Sequence, residues 1–399
     1  MRVLIVGAGP TGASLAYLLA RRGIDVSLIE RETDFERVFR GEALMPSGVD
    51  ALYQMGFRDA FANVPHRTVE CMELYVDGAR AVRADWPEIQ GDNAACVVSQ
   101  PKLLDLLTES ASEHASFDLR MGTSVRDIRV SDNGVELDLE KNGDRETLTG
   151  DFLIGADGRG SIVRTRAGLK LDRLPFPYDV NWFSMPAPPT QLEDPRFQAF
   201  SRGDSLVILY PSWDGRLRLG VNQPVETARR QTATKKELLE EVARIAGEPF
   251  GSFVLDHLEE ASDPITLKVL FGRCATWTAP RTILLGDAVH PMSPVRAQGI
   301  NLALRDAIVA ANHLVPALEN GSAGAWDDAA AEIQQEREPE IIASQQLQLQ
   351  AAETPPPARS PILRKTVLPI LLKLGIMKKM FLKAEMPLRR GIVPVKLSV

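Results

Sequence analysis

A chain of 399 residues, 44% hydrophobic and 25% charged, is long enough for two or three structural units and has the make-up of an ordinary soluble globular protein. Its formal net charge of -7 argues against nucleic acid as a partner, because following a phosphate backbone takes a basic face. Three cysteines without paired spacing, Cys71, Cys96 and Cys274, argue against a disulfide framework or a zinc site, and fit a reducing compartment.

Met1-Arg2 leads straight into an apolar run at 3–6 that stops at a glycine turn, so no exported leader is expected. No uninterrupted apolar stretch reaches the roughly 18–20 residues that span a bilayer. A cytoplasmic protein is expected. The run at 3–6 predicts a buried strand, 11–22 a helix and 26–29 a second strand, which together make a βαβ-type opening. Helical patterns follow near 47–55 and 101–114. The partly alternating stretch 69–85 reads as strand. From 120 to 150 a meander is expected, with Asn133-Gly134 and Asn142-Gly143 as turns. Residues 152–154 form a further buried strand. Between 175 and 272 proline and aromatic residues rise, and β-like runs at 178–185, 205–211, 216–221 and 264–270 surround a helix at 235–246. Strand and helix patterns return at 281–285 and 299–317.

Gly7-Ala8-Gly9-Pro10-Thr11-Gly12 stands between the first strand and the first helix, where a dinucleotide fingerprint has physical meaning. Gly7 permits the tight turn, Gly9 lets main chain approach a pyrophosphate, and Gly12 allows close helix packing. Pro10 and Thr11 open the helix whose free N–H groups face the phosphates. Glu30 ends the second strand, 18 positions after Gly12, where a carboxylate accepts ribose hydroxyls; Arg31 follows it. An acidic residue there disfavours a 2′-phosphate. The fingerprint alone leaves FAD and NAD open.

Two more motifs follow strands: Gly155-Ala156-Asp157-Gly158-Arg159-Gly160 with Arg164, and Gly286-Asp287-Ala288-Val289-His290-Pro291. With the first fingerprint, they make the chain resemble the class-A flavoprotein aromatic hydroxylases, the para-hydroxybenzoate hydroxylase-like monooxygenases, from residue 1 to about 345. The resemblance implies an α/β (mixed α+β) fold, with a Rossmann-like FAD-binding domain, an inserted, mostly antiparallel β-sheet substrate domain and a C-terminal helical segment. The implied boundaries are 1–70, 95–175 and 275–350 for the cofactor domain, 71–94 and 176–274 for the substrate domain, and 355–399 for the last segment.

The same resemblance implies site roles. Asp287 would hold a ribityl hydroxyl, and Asp157 and Gly158 would lie near the pyrophosphate. Arg40, in a segment running along the flavin, would pair with the pyrophosphate, and Gln100 would touch the FAD chain. In Ala297-Gln298-Gly299-Ile300-Asn301, backbone amides at a helix start would face the flavin and stabilise its reduced anion. Many relatives have glycine where this chain has Arg296. Either the loop takes another path there, or a fixed cation stands near the flavin. The implied reaction uses NADPH or NADH and dioxygen to hydroxylate a phenolic or polyketide-like aromatic through a flavin C4a-hydroperoxide, with no metal.

Trp182, Phe183, Phe200, Tyr210 and Trp213 are candidate pocket walls. His290, Tyr210 and Arg296 are the candidate catalytic residues, although a structural role weighs more for His290. From Arg359 onward, ten Lys or Arg stand against Glu385 alone, in an apolar setting. That segment can act as a lid, pack as plain structure, or make weak contact with a membrane surface. Epoxidation or N-hydroxylation on the same fold, and a non-catalytic escort protein, remain alternatives, as does a monomer or a homodimer. Halogenation is disfavoured by the lack of a Trp-x-Trp-x-Ile-Pro signature.

Overall fold

A computed structural model of the chain describes residues 1–36, 41–85, 93–225, 233–352, 370 and 375–399. The first strand, Arg2–Val6, is buried over all but its first residue and pairs in parallel with Asp25–Ile29 on one side and Phe152–Gly155 on the other. Continuous apolar runs of this kind suit a sheet covered on both faces. The full order is Thr278–Ala279, Thr282–Leu284, Phe152–Gly155, Arg2–Val6, Asp25–Ile29, Phe117–Arg120, with only the first pair antiparallel. The helices Pro10–Ala20, Gln100–Ser112 and Gly299–Asn320 pack on this frame, and the meander Ser124–Ser131, Gly134–Lys141, Asp144–Gly150 joins its other face.

A seven-stranded mixed sheet forms the second unit, ordered Ile265–Leu267, Tyr178–Pro186, Arg216–Pro224, Ser205–Pro211, Arg196–Arg202, Cys71–Val76, Ala79–Asp85. The stretch 69–85, expected as one strand, is instead a hairpin. Asp77 (φ 49°) and Gly78 (φ 85°) take the two left-handed positions of a tight turn, a signal hidden by the alternation on either side. Residues from the first quarter of the chain thus complete a sheet made mostly of residues 178–224.

Alternation gives this sheet two distinct faces. Phe183, Met185, Phe200, Val207 and Leu209 pack against the helices Lys235–Ala246 and Phe250–Asp256. Tyr178, Trp182, Phe197 and Tyr210 point the other way, toward the parallel sheet. The helix Ile376–Arg390 lies across the same side, adding Met377 and Phe381.

Candidate active site

The three glycine/aspartate turns meet at the C-terminal edge of the parallel sheet, the usual ligand crevice of such sheets. Gly7 has φ 100°, and a Cβ there would come within 2.4 Å of the Ala156 carbonyl oxygen. A Cβ on Gly12 would lie 1.9 Å from the Gly7 carbonyl oxygen. Only glycine lets the first turn, the first helix and the Ala156-Asp157 loop close on one another. Gly9 is different: nothing lies within 4 Å of its missing Cβ, so its main chain faces open space. The third turn presses on the first, since a Cβ on Gly286 would sit 2.5 Å from Thr11 Oγ1.

Side chains lock the same corner. Asp157 Oδ2 accepts from the Ile162 and Val163 amides at 2.7 and 3.2 Å, while its Oδ1 is buried without a hydrogen-bond partner among the described residues. Burial raises the Asp157 carboxyl above its usual range, against the pull of Ser161 and these amides. Arg164 donates to the carbonyl oxygens of Ala288 (2.6 Å) and Arg159 (2.9 Å), and so ties the second turn to the third.

One cavity of about 1340 Å³ runs past these turns to the aromatic face of the large sheet. That exceeds the roughly 300–1,000 Å³ of an ordinary small-molecule pocket, and leaves room for a cofactor and a second guest. From the sequence-derived set, Gly7, Gly9, Pro10, Thr11, Glu30 and Arg31 line it, as do Gln100, Asp157, Gly158 and Asp287. Ala297, Gly299 and Ile300 line its far part. Gly12 and Gly286 shape the turns from behind. Gln298 and Asn301 are buried with their side chains turned into the protein: Gln298 Nε2 donates to the Arg296 carbonyl oxygen, and Asn301 Oδ1 accepts from the Met45 amide at 2.8 Å. Arg40 lies outside the described residues.

The pocket walls divide by register. Trp182 and Tyr210 line the cavity, with ring centroids 6.2 Å apart, and Phe197 meets Tyr210 edge-on at 5.1 Å. Phe183 and Phe200 do not: period-two alternation puts them on the opposite face. Trp213 sits in the turn after Ser205–Pro211, away from the cavity.

His290 is buried off the cavity, its Nε2 2.7 Å from Asp306 Oδ2. Asp306 also accepts from the Gly286 amide and from Arg337 Nε (2.8 Å), so it is a brace beneath the third turn. Burial alone would push Asp306 up, but His290 and Arg337 beside it hold it below the usual carboxylate range. Arg337 and Arg305 both pair with Glu340, which accepts from the Ile392 amide at 2.7 Å and thereby anchors the chain after the last helix.

Arg296 and Ala297 are both left-handed, at φ 64° and 51°. The loop therefore keeps the backbone path that glycine would favour, and the Arg296 side chain lines the cavity. Three further residues of the wall were not among the expected site residues, although Glu42 follows Arg40 in the segment thought to run along the flavin. Glu42 is buried in the cavity wall, accepting from Ser212 Oγ (2.9 Å) and Arg218 (3.2 Å). Its carboxyl is raised by burial, with Arg218 pulling the other way. Tyr178 and Glu385 join the wall from distant elements.

The residues present fit an extended dinucleotide. The Glu30 carboxylate is held by the Ala8 and Glu32 amides at 2.9 and 3.1 Å and stands in the cavity wall, ready for hydroxyl donors. Open main chain at Gly9 and an uncapped helix start suit phosphate charge. Among the described residues no cluster of ligating side chains suits a metal, and no helix is long and apolar enough to cross a membrane.

Comparisons with known proteins agree with this geometry. The family model described as "FAD binding domain" matches residues 1–339. The chain is 32% identical to a 6-methylpretetramide 4-monooxygenase of Streptomyces rimosus, over 77% of this chain and 73% of that one. It is 26% identical to a rifampicin monooxygenase of Streptomyces venezuelae, covering 76% of this chain and 62% of the relative. Its fold matches the crystal structure of Pseudomonas aeruginosa PqsL in complex with 2-aminobenzoylacetate with a TM-score of 0.76, at 26% identity over 87% of this chain and 94% of that one.

Proposed function

This chain belongs to the FAD-binding-domain family, and on that premise we propose that it is a monooxygenase that uses NADPH or NADH and dioxygen to hydroxylate a small phenolic or polyketide-like aromatic. The observation that carries this reading is the single cavity lined on one side by all three glycine/aspartate turns and on the other by Trp182, Phe197 and Tyr210. Monooxygenase relatives named for 6-methylpretetramide and rifampicin support an organic small molecule as the substrate.

FAD, when bound, supplies the redox chemistry with NAD(P)H and dioxygen. The protein's share is placement. Glu30 would accept ribose hydroxyls, the Gly7–Gly12 amides would take the pyrophosphate, and Asp287 would hold a ribityl hydroxyl. The start of the helix Gly299–Asn320 bears no side-chain cap, so its positive end would favour negative charge beside it. Segments 71–94 and 176–274 would form the substrate half, where aromatic rings orient a planar guest and keep water out. Glu42, its carboxyl raised by burial against the pull of Arg218, would place a polar group in the substrate half of the cavity wall. Three buried free thiols fit a cytoplasmic setting.

The test is a panel of aromatic and polyketide-like compounds, scored for stimulated NADPH or NADH consumption and a product heavier by one oxygen atom. No stimulation by any compound would overturn the hydroxylase reading. Asp287→Ala should lose flavin on dialysis while its circular dichroism stays native, because Asp287 is exposed at the cavity mouth. Normal flavin retention would remove the ribityl role.

A further inference from the structure

Alternation along the large sheet leaves a furrow in its cavity face. Phe197, Ala199 and Ser201 point into the cavity from one strand, and the last two are small. Register places Leu74 and Ile208 on either side of Ala199, and Val76 and Leu206 on either side of Ser201. The floor is therefore one strand wide, between aliphatic walls about 9–10 Å apart, twice the strand spacing. From Phe197 to Ser201 it runs roughly 13 Å, at about 3.3 Å per residue.

The two ends of the furrow differ. At one end Phe197 pairs with Met72 and packs edge-on against Tyr210. The Trp182 indole lies over Gly220, where a Cβ would come within 2.9 Å of the ring, and so covers the sheet beside Ile208. At the other end Gly203 and the exposed Asp204 line the cavity, and the furrow opens toward solvent. Its walls are half-buried at Leu74, Val76, Leu206 and Ile208, whereas Val207 and Leu209, on the helix-covered face, are fully buried. None of these wall side chains carries a charge. Aliphatic surface left uncovered costs free energy that a bound hydrocarbon recovers. Less the thickness of the side chains, the width admits one hydrocarbon chain lying lengthwise, and not a fused ring system lying flat.

We propose that the furrow holds an unbranched aliphatic chain carried by the aromatic substrate. The ring is held by Trp182, Phe197 and Tyr210, and the chain lies over Ala199 and then Ser201. The substrate class is thus alkyl- or alkenyl-substituted aromatics. The inference rests on the monooxygenase reading for the aromatic end, but it is tested by binding and not by turnover. The probes are 4-ethylphenol, 4-butylphenol, 4-hexylphenol and 4-octylphenol, with 1-naphthol as a fused-ring probe that has as many carbon atoms as 4-butylphenol. Each is measured by equilibrium dialysis against the FAD-loaded protein.

Affinity should rise at least about fivefold with each added pair of carbons, because each buried methylene adds to binding. The butyl probe should bind more tightly than 1-naphthol. Ala199→Leu, which fills the furrow close to its aromatic end, should flatten the series, so that octyl and ethyl affinities agree within about threefold. Ser201→Leu, farther along, should remove only the last step, from hexyl to octyl. Circular dichroism and flavin content check that both variants fold; were Ala199→Leu to misfold, the last step in Ser201→Leu decides alone. A flat series in the unmodified protein would overturn the proposal. So would an unchanged slope in both variants, which marks general partitioning, or tighter binding of 1-naphthol than of 4-butylphenol, which makes the space a slot for fused rings. Chain-length dependence is read without hydroxylation, so the two readings fail separately.

Discussion

Around Gly7, Gly9 and Gly158 the cavity is walled by main chain, and around Tyr178, Trp182 and Tyr210 it is walled by side chains. The first wall is made by turns whose close approach leaves no room for a Cβ at Gly7, Gly12 or Gly286; the second by alternation on a sheet whose other face is an ordinary core. Backbone amides and turns suit a cofactor of constant shape, while exchangeable side chains suit a substrate that differs between relatives. The contrast also predicts which substitutions unfold the protein and which only empty a site.

The sharpest contrast is Gly12→Ala against Gly9→Ala. With a Cβ 1.9 Å from the Gly7 carbonyl oxygen, Gly12→Ala should cost about 4 kcal/mol or more and release flavin, as read by denaturant unfolding and the flavin absorption band. Gly9→Ala meets nothing within 4 Å, so stability should hold while flavin affinity falls about tenfold. Similar stabilities for the two would break the main-chain account.

Next comes the brace beneath the third turn. Arg337→Met leaves Asp306 and Glu340 buried without their shared cation and should cost about 3–5 kcal/mol. Both carboxyls are held below their usual range by neighbouring cations, although burial alone would raise them. Their contribution is therefore complete above the unfolded values of about 4 and is lost as pH falls through them toward the lower folded values. Unfolding titrations from pH 6 to 3 should show a steep acid loss in the parent and a shallower one in Arg337→Met.

Within the large sheet, Phe183→Ala should cost about 3–4 kcal/mol while aromatic ligands still bind, because the ring lies on the helix-covered face. Trp182→Leu should cost only about 1–2 kcal/mol and weaken aromatic ligands about tenfold. Reversed outcomes would mean the faces have been misassigned. The smallest effect is expected from Tyr210→Phe. Burial and the nearby Glu42 push this phenol well above its ordinary range, against Arg218, so it does not ionise near neutrality. The pH profile of turnover should stay within about twofold of the parent's between pH 6 and 9.

Legibility followed the length of the contact. Gly7, Gly9, Gly12 and Glu30 were readable because strand, turn, helix and strand follow one another within thirty residues. The helix at Lys235–Ala246 was readable for the same reason, with Thr234 and Glu237 forming a local capping box. Asn301 was expected to offer its backbone amide at the helix start; no local pattern announced that its side chain accepts from the Met45 amide, 256 positions away. Glu385 was visible only as the lone acid in a basic tail; its partner Arg296 lies 89 positions earlier, and no local pattern joins them. The last helix, Ile376–Arg390, forms part of the cavity wall, a placement that the basic composition of the tail did not announce.

By itself the sequence determined the βαβ opening and a dinucleotide site at its glycine turn, because glycine at a strand end and apolar periodicity are constraints that neighbouring residues impose on each other; FAD rather than NAD was implied by the resemblance that the three motifs carry together. Only the tertiary structure decided which aromatic residues face the cavity, that His290 braces a turn off the cavity, and that Arg296 meets Glu385. Those outcomes depend on sheet register and on packing between segments far apart in the chain, where burial and charge pairing act on whatever the fold brings together.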